Sequence, residues 1–262
     1  MRARRGVLLL LATLFCVAVP AAAQRVALRI APAEGDTLRM QLEQQFVMES
    51  GDHAPTVSGS MRVWTHAIVL RRARGHTDLL SVTDSVRVLP PTTDLRPLRE
   101  AQRALEGRTV RLRVDHSGGM TVASGPQGAL GAGAVMPSML PAQPVAVGES
   151  WKRDMRVPLS ATGSSTAEVR TTFRLDSLGG HETVAYISFR GAVSHDHAGD
   201  SPGVTGKTVG TLQGAMQVDR RLAWITDSEM VVNVVSDVKF PGRPATHTRM
   251  RVTQTLRALP GY

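Results

Sequence analysis

The sequence predicts an all-β fold: a curved antiparallel sheet or half-barrel of about ten to twelve strands, with one amphipathic helix. Three observations carry this reading. Apolar and polar residues alternate with period two along most of the 262 residues. Glycine-centred turn signals, Gly75-His76, Gly118-Gly119 and Gly179-Gly180, separate the alternating runs. Only one segment of any length has helical spacing instead.

The N-terminus precedes the fold. Arg2, Arg4 and Arg5 form a positive region, residues 6–19 an apolar run, and Ala21-Ala22-Ala23 a small-residue cleavage site before Gln24. A bilayer span needs about 20 apolar residues, so residues 1–23 are expected to be a cleaved secretory signal rather than an anchor. Cys16 is the only cysteine and lies inside that run. Phe15 stands where a lipoprotein signal needs a small residue, so lipidation is not expected. Cleavage would leave a chain with no disulfide, no thiolate metal ligand and no cysteine nucleophile. About 240 residues suffice for a sizeable core, and no second apolar stretch approaches spanning length. The expected location is the periplasm or the extracellular medium.

In the first long run, Leu38, Met40, Leu42, Phe46 and Met48 share one face with Gln44, and Arg39, Gln41, Glu43 and Gln45 share the other. Ala167, Val169, Thr171, Phe173 and Leu175 oppose Glu168, Arg170, Thr172 and Arg174 in the same way. Met250, Val252 and Leu256 oppose Arg249, Arg251 and Arg257. Similar stretches occur near 61–72, 78–89, 108–115, 183–193, 209–218, 222–226 and 230–240. One buried and one wet face per strand is the pattern of an antiparallel sheet.

Residues 94–106 break the alternation. Leu95, Leu98, Ala101 and Leu105 fall at helical spacing, Thr93 or Asp94 can serve as N-cap, and Gly107 stands where a left-handed C-terminal residue belongs. The expectation is an amphipathic helix laid on the sheet. Residues 125–144 are rich in Gly, Ala and Pro around an apolar knot at Val135-Met136-Pro137-Ser138-Met139-Leu140, a connector between halves. Residues 195–207 are polar and glycine-rich and are expected to form a mobile loop.

The halves, about 30–125 and 145–259, read as diverged copies within a single domain spanning 24–262. Gly35-Asp36-Thr37-Leu38-Arg39 matches Gly148-Glu149-Ser150-Trp151-Lys152 in chemistry. Gly75-His76 matches Gly180-His181 at an offset of 105, and Leu112, Val114 and Asp115 match Met216, Val218 and Asp219 at 104. The alternative is two smaller β domains joined near 126–147.

There are 31 Lys and Arg against 22 Asp and Glu, and removal of Arg2, Arg4 and Arg5 leaves 28 basic residues and a net charge of +6. Most arginines alternate with apolar residues, as Arg111 and Arg113 do, which places them on a solvated face. An apolar or anionic envelope component is the partner class this suggests. Nucleic acid is not, because aromatics make up only 4% of the chain.

His195-Asp196-His197 with Asp200 is the one His/Asp cluster, and no third fixed ligand makes it a metal site. Gly203-Val204-Thr205-Gly206-Lys207-Thr208 has Ser201 where a phosphate-binding loop needs glycine, and a strand follows instead of a helix. No Gly-x-Ser-x-Gly elbow is present, and adjacent Asp115-His116-Ser117 is not how a triad converges. The expectation is therefore a non-enzyme without cofactor or metal. Methionines give an aromatic-poor chain an adaptable apolar lining. Met40, Leu42, Phe46, Met136, Met139, Leu140 and Trp151 are the candidate ligand-binding residues.

Leu140-Pro141-Ala142-Gln143-Pro144-Val145-Ala146-Val147-Gly148-Glu149-Ser150-Trp151 resembles the LPxxPVxxGxSW signature of an uncharacterised family of exported bacterial proteins, a domain of unknown function. Gly35-Asp36-Thr37-Leu38 also fits that family's start, so the resemblance covers most of residues 30–259. That family has no established activity or catalytic residues, so the resemblance implies export and carries over nothing functional. In architecture alone the chain is similar to periplasmic lipoprotein carriers, which use a curved antiparallel sheet with helices plugging its concave side. The leading expectation is an exported carrier for an apolar or lipid-like ligand. A structural or interaction module of the cell envelope comes second, and a hydrolase third.

Overall fold

The computed structural model describes residues 24–51, 56–89, 95–124, 138–158, 166–199 and 203–260. The expected signal segment, Met136 and most of the connector lie outside them. The first half consists of β1 (Arg25–Val26), β2 (Thr37–Ser50), β3 (Val57–Ala73), β4 (His76–Leu89), α1 (Leu95–Leu105), β5 (Thr109–Asp115) and β6 (Met120–Ser124). The second consists of β7 (Val145–Ala146), β8 (Ser150–Pro158), β9 (Thr166–Gly179), β10 (Val184–Asp196), β11 (Thr205–Asp219), β12 (Trp224–Lys239) and β13 (Thr246–Ala258). Eleven strands form one antiparallel sheet in the order β6-β5-β4-β3-β2-β13-β12-β11-β10-β9-β8, and β1 pairs with β7 separately.

The expected fold class is therefore found: one large open antiparallel sheet, almost without helix. Each half is a meander, and the two join where β13 pairs with β2, from Thr248↔Ser50 to Ala258↔Met40. The sheet does not close, and β6 and β8 are its edges. Laid flat, eleven strands at about 4.8 Å would extend nearly 50 Å. Yet Leu112 and Val114 of β5 and Val169 and Phe173 of β9 belong to one buried cluster. The sheet must curl to bring them together.

Glycines on the inward face of β10 and β11 make the curl possible. Gly191, Gly206, Gly210 and Gly214 all take inward positions by register. A Cβ at Gly214 would press on the Glu229 carbonyl oxygen and lie 2.6 Å from Phe189 Cζ. One at Gly210 would press on the Asn233 carbonyl and lie 2.6 Å from Val234 Cγ1. Only a missing side chain permits so close an approach of neighbouring strands.

The two halves start with the same turn. Gly35 has φ +87° and Gly148 φ +86°. The N–H of Gly35 donates to the Val69 carbonyl, and that of Gly148 to Leu175. Asp36 accepts from the Ala33 N–H at 2.9 Å, and Glu149 from the Ala146 N–H at 2.9 Å. The meanders also turn alike further on. Asp115 accepts from the N–H groups of Ser117 and Gly119, and Asp219 from those of Arg221 and Leu222.

Three expectations are refined. The helix forms over Leu95–Leu105, ends at Gly107 with φ +72° and packs against β4 and β3. β5 pairs with β4 only as far as Val82, and α1 runs beside the edge that this leaves. Gln102 Nε2 donates to the Val86 carbonyl at 2.8 Å, and Thr83 exchanges backbone bonds with Gly107 and Arg108. An unpaired strand edge is what this helix satisfies. Secondly, residues 195–207 are not a loop throughout: His195 and Asp196 close β10, paired with Thr208 and Lys207, and β11 begins at Thr205. Thirdly, the stretches expected at 222–226 and 230–240 are one strand, β12, with a register irregularity opposite Gln217 and Val218.

One end of the curled sheet is sealed. The chain from Arg25 to Ala31 crosses it, with Ile30 N–H donating to the His116 carbonyl and Ala31 N–H to Ala223. Val26, Leu28 and Ile30 are all buried there. Residues 138–140 staple the gap between the sheet edges at the same end. Ser117, in the β5–β6 turn, accepts from the N–H groups of Met139 and Leu140, and Ser138 Oγ donates to Asp115. From β8, Trp151 Nε1 donates to the Met139 carbonyl at 2.8 Å, and Arg153 Nη2 donates to that of Leu140.

The concave face as candidate functional site

Above this floor the inward side chains are largely apolar and only half buried. The register places Leu42, Phe46 and Met48 of β2 beside Leu256, Val252 and Met250 of β13, and these beside Ser228, Val232 and Val234 of β12. All nine are of intermediate exposure. The facing pair Gln44–Gln254 interrupts the apolar surface. On the opposite wall, Trp151 stacks on Phe173 at 5.7 Å and 10°, and Phe173 meets Phe189 at 5.6 Å. Six residue steps from Leu42 to Met48 at about 3.3 Å each give a wall about 20 Å long, apolar except at the Gln44–Gln254 pair.

The predicted ligand residues divide. Met40 is 7% exposed and Leu140 is fully buried; both belong to the packed floor and line nothing. Leu42 and Phe46 project from β2 onto the open part of the face. Met139 and Trp151 pack against the core, joined by the indole N–H bond already described. Thus the structure brings Met139, Leu140 and Trp151 together, while Leu42 and Phe46 stand six strands away in sheet order. Met136 lies outside the described residues.

Arg153 was not among the predicted residues. It alternates with Trp151 and Met155 on the inward face of β8, across from Thr171, and its period-two spacing in the sequence was the available signal. A polar rim was missed as well. His195, Thr208, Ser236, Thr248 and Ser50 take the inward positions towards the other end of β10 to β13 and β2. His197 Nε2 lies 2.8 Å from Thr208 Oγ1, which lies 2.7 Å from Ser236 Oγ. The His195 and His197 rings meet edge to face at 4.4 Å. Among the described residues no group of three or more metal-ligating side chains gathers.

The outward face is polar. Arg62 donates to Glu43 Oε2 through Nε at 3.0 Å and through Nη2 at 2.6 Å. With Gln45 it holds the Glu43 carboxyl below its ordinary pKa. Arg62 and Arg87 lie 5.8 and 5.3 Å from the Trp64 ring centre. Asp115 is also held low: burial pushes its carboxyl up, but hydrogen bonds from Ser117, Ser138 and Gly119 outweigh burial. No helix among the described residues is long and apolar enough to cross a membrane.

No protein-family model matches this chain, and no curated protein does. Among solved structures it is similar to the crystal structure of Pseudomonas aeruginosa OccK11 (OpdR), at 7% identity over 91% of this chain and 100% of that one, with a TM-score of 0.25. A likeness that slight carries no inference.

Proposed function

We propose that this protein is an exported, non-enzymatic carrier for an apolar, lipid-like ligand held on the concave face. One observation supports the reading: the inward face above a sealed floor carries partly exposed Leu42, Phe46, Met48, Met250 and Val252, with Val232 and Val234 packed against the core beside them. A soluble protein gains by covering contiguous apolar surface, and such surfaces mark binding sites. The methionines and valines there adapt to a flexible chain without demanding one shape. Half the roughly 30 Å bilayer core is the length of one lipid chain, which the apolar wall accommodates. The signal-like N-terminus places the protein outside the cytoplasm in this proposal, where lipids in transit need shielding from water.

Native mass spectrometry of the protein purified from its own envelope tests the reading directly, with a co-purifying lipid as the expected result. In a second measurement, an uncharged fluorescent probe such as N-phenyl-1-naphthylamine should bind saturably. Val252→Asp should weaken that binding at least about tenfold, since burying an unpaired charge is costly. Neither lipid nor saturable probe binding would refute the carrier and leave the envelope module as the better reading.

A further inference from the structure

We infer that Arg153 is the head-group receptor of the concave face and that the ligand is a single-chain amphiphile ending in a carboxylate. The inference rests on the carrier reading and adds the ligand's charge and the residue that reads it. At the inward positions of β2 and β8 to β13, Arg153 is the one Arg, Lys, Asp or Glu among the described residues. The other inward side chains around it are apolar or neutral: Trp151 and Met155 on its own strand, Thr171 across from it, and Gly191 beyond.

Its charge has no counter-ion within ion-pair distance among the described residues. One Nη donates to the Leu140 carbonyl, while Nε is buried without a partner. Thr171, its cross-strand neighbour, is 2% exposed, and its Oγ1 is also buried without a partner. An unneutralised guanidinium on an apolar surface is expensive unless an anion completes it. Two unmatched donors on adjacent strands make the deficit local. Asp154 and Glu168 of the same strand pair occupy outward positions, so no acid of β8 or β9 turns inward to supply the charge.

The chemistry selects the class of anion. Guanidinium nitrogens and a hydroxyl together match the two oxygens of a carboxylate, which a guanidinium can grip side-on. Arg153 is only partly buried at its inward position, which leaves it within reach of a head group arriving along the concave face. A modest rotation then turns Nε–H towards it. The apolar tail would lie along the half-exposed methionines and valines. A neutral amphiphile of equal length would gain the same tail contacts and leave the charge unmatched.

The experiment compares hexadecanoate with hexadecanol by displacement of a fluorescent apolar probe from the delipidated protein. The wild type should prefer the acid by at least about tenfold, as charge-assisted hydrogen bonds are roughly twice as strong as neutral ones. Arg153→Met should bring the acid-to-alcohol ratio near one. Arg153→Lys keeps the charge without the planar fork and should retain part of the preference. Thr171→Val, which conserves volume, should weaken the acid several-fold and leave the alcohol unchanged. If Arg153→Met fails to fold, the Lys and Val variants decide. Equal binding of acid and alcohol by the wild type overturns the inference and leaves the carrier reading standing. So does an undiminished preference in the variants. Binding of neither overturns both.

Discussion

Single carboxylates organise the sealed end of this molecule. Asp115 ties the β5–β6 turn to the stapling segment, because it accepts from Ser117, Gly119 and Ser138 together. Its folded-state pKa lies below the ordinary value, so its contribution to stability is full above the unfolded aspartate pKa near 3.9. That contribution is lost as the pH falls through the folded value. Asp115→Asn should therefore cost about 1–3 kcal/mol at neutral pH. The gap from wild type should narrow steadily below about pH 4, which urea unfolding at a series of pH values checks. A gap independent of pH would mean that the loop shape, not the charge, matters. Asp115 and Asp219 could be paired from the sequence because a turn is local. That Ser138, across a long connector, completes the first site could not.

At the scale of elements, β11 shows how a strand encodes curvature. Its inward face alternates glycine with Thr208, Leu212 and Met216, and the Phe189 ring lies against the space that a Cβ at Gly214 would take. Gly214→Val should cost at least about 1–3 kcal/mol, the usual penalty of overpacking, measured as a fall in the urea midpoint without loss of β-sheet circular dichroism. A tolerated valine would show that the sheet relaxes freely at this point. Helix α1 makes the complementary case. Its periodicity and its Gly107 stop are legible in the sequence, while its site, the edge of β4, is not. Where the helix docks depends on β5 being shorter than β4, and strand length is fixed by pairing partners far along the chain. The bond from Gln102 to the Val86 carbonyl gives this docking a test: Gln102→Ala should cost about 1 kcal/mol.

The whole molecule is held by strands from opposite ends of the chain. β2 and β13 pair in the middle of the sheet, and the buried cluster takes residues from both meanders. Unfolding should accordingly be a single cooperative transition. Trp151→Ala removes a ring stacked on Phe173 and the indole bond to Met139, and should lower that one transition by about 3–5 kcal/mol. Two separated transitions in calorimetry would show instead that the halves fold independently.

Much of this architecture lies open in the sequence. Alternation is a property of neighbouring residues, so period two revealed the strands, their wet and buried faces, and the antiparallel class. The matched openings at Gly35-Asp36 and Gly148-Glu149 exposed the likeness between halves for the same reason. The candidate site divides along the same line. Leu42 and Phe46 were legible as apolar positions on the inward face. Met40 and Leu140, equally apolar, became floor, because the segment from Arg25 to Ala31 and the staple at 138–140 pack over that end. Arg153 looked like one more arginine among many until the curl turned its strand face inward. Local pattern determines which side of a strand a residue takes. Whether that side meets packed chain or stays partly exposed is decided by contacts between segments well separated in the sequence, which no periodicity records.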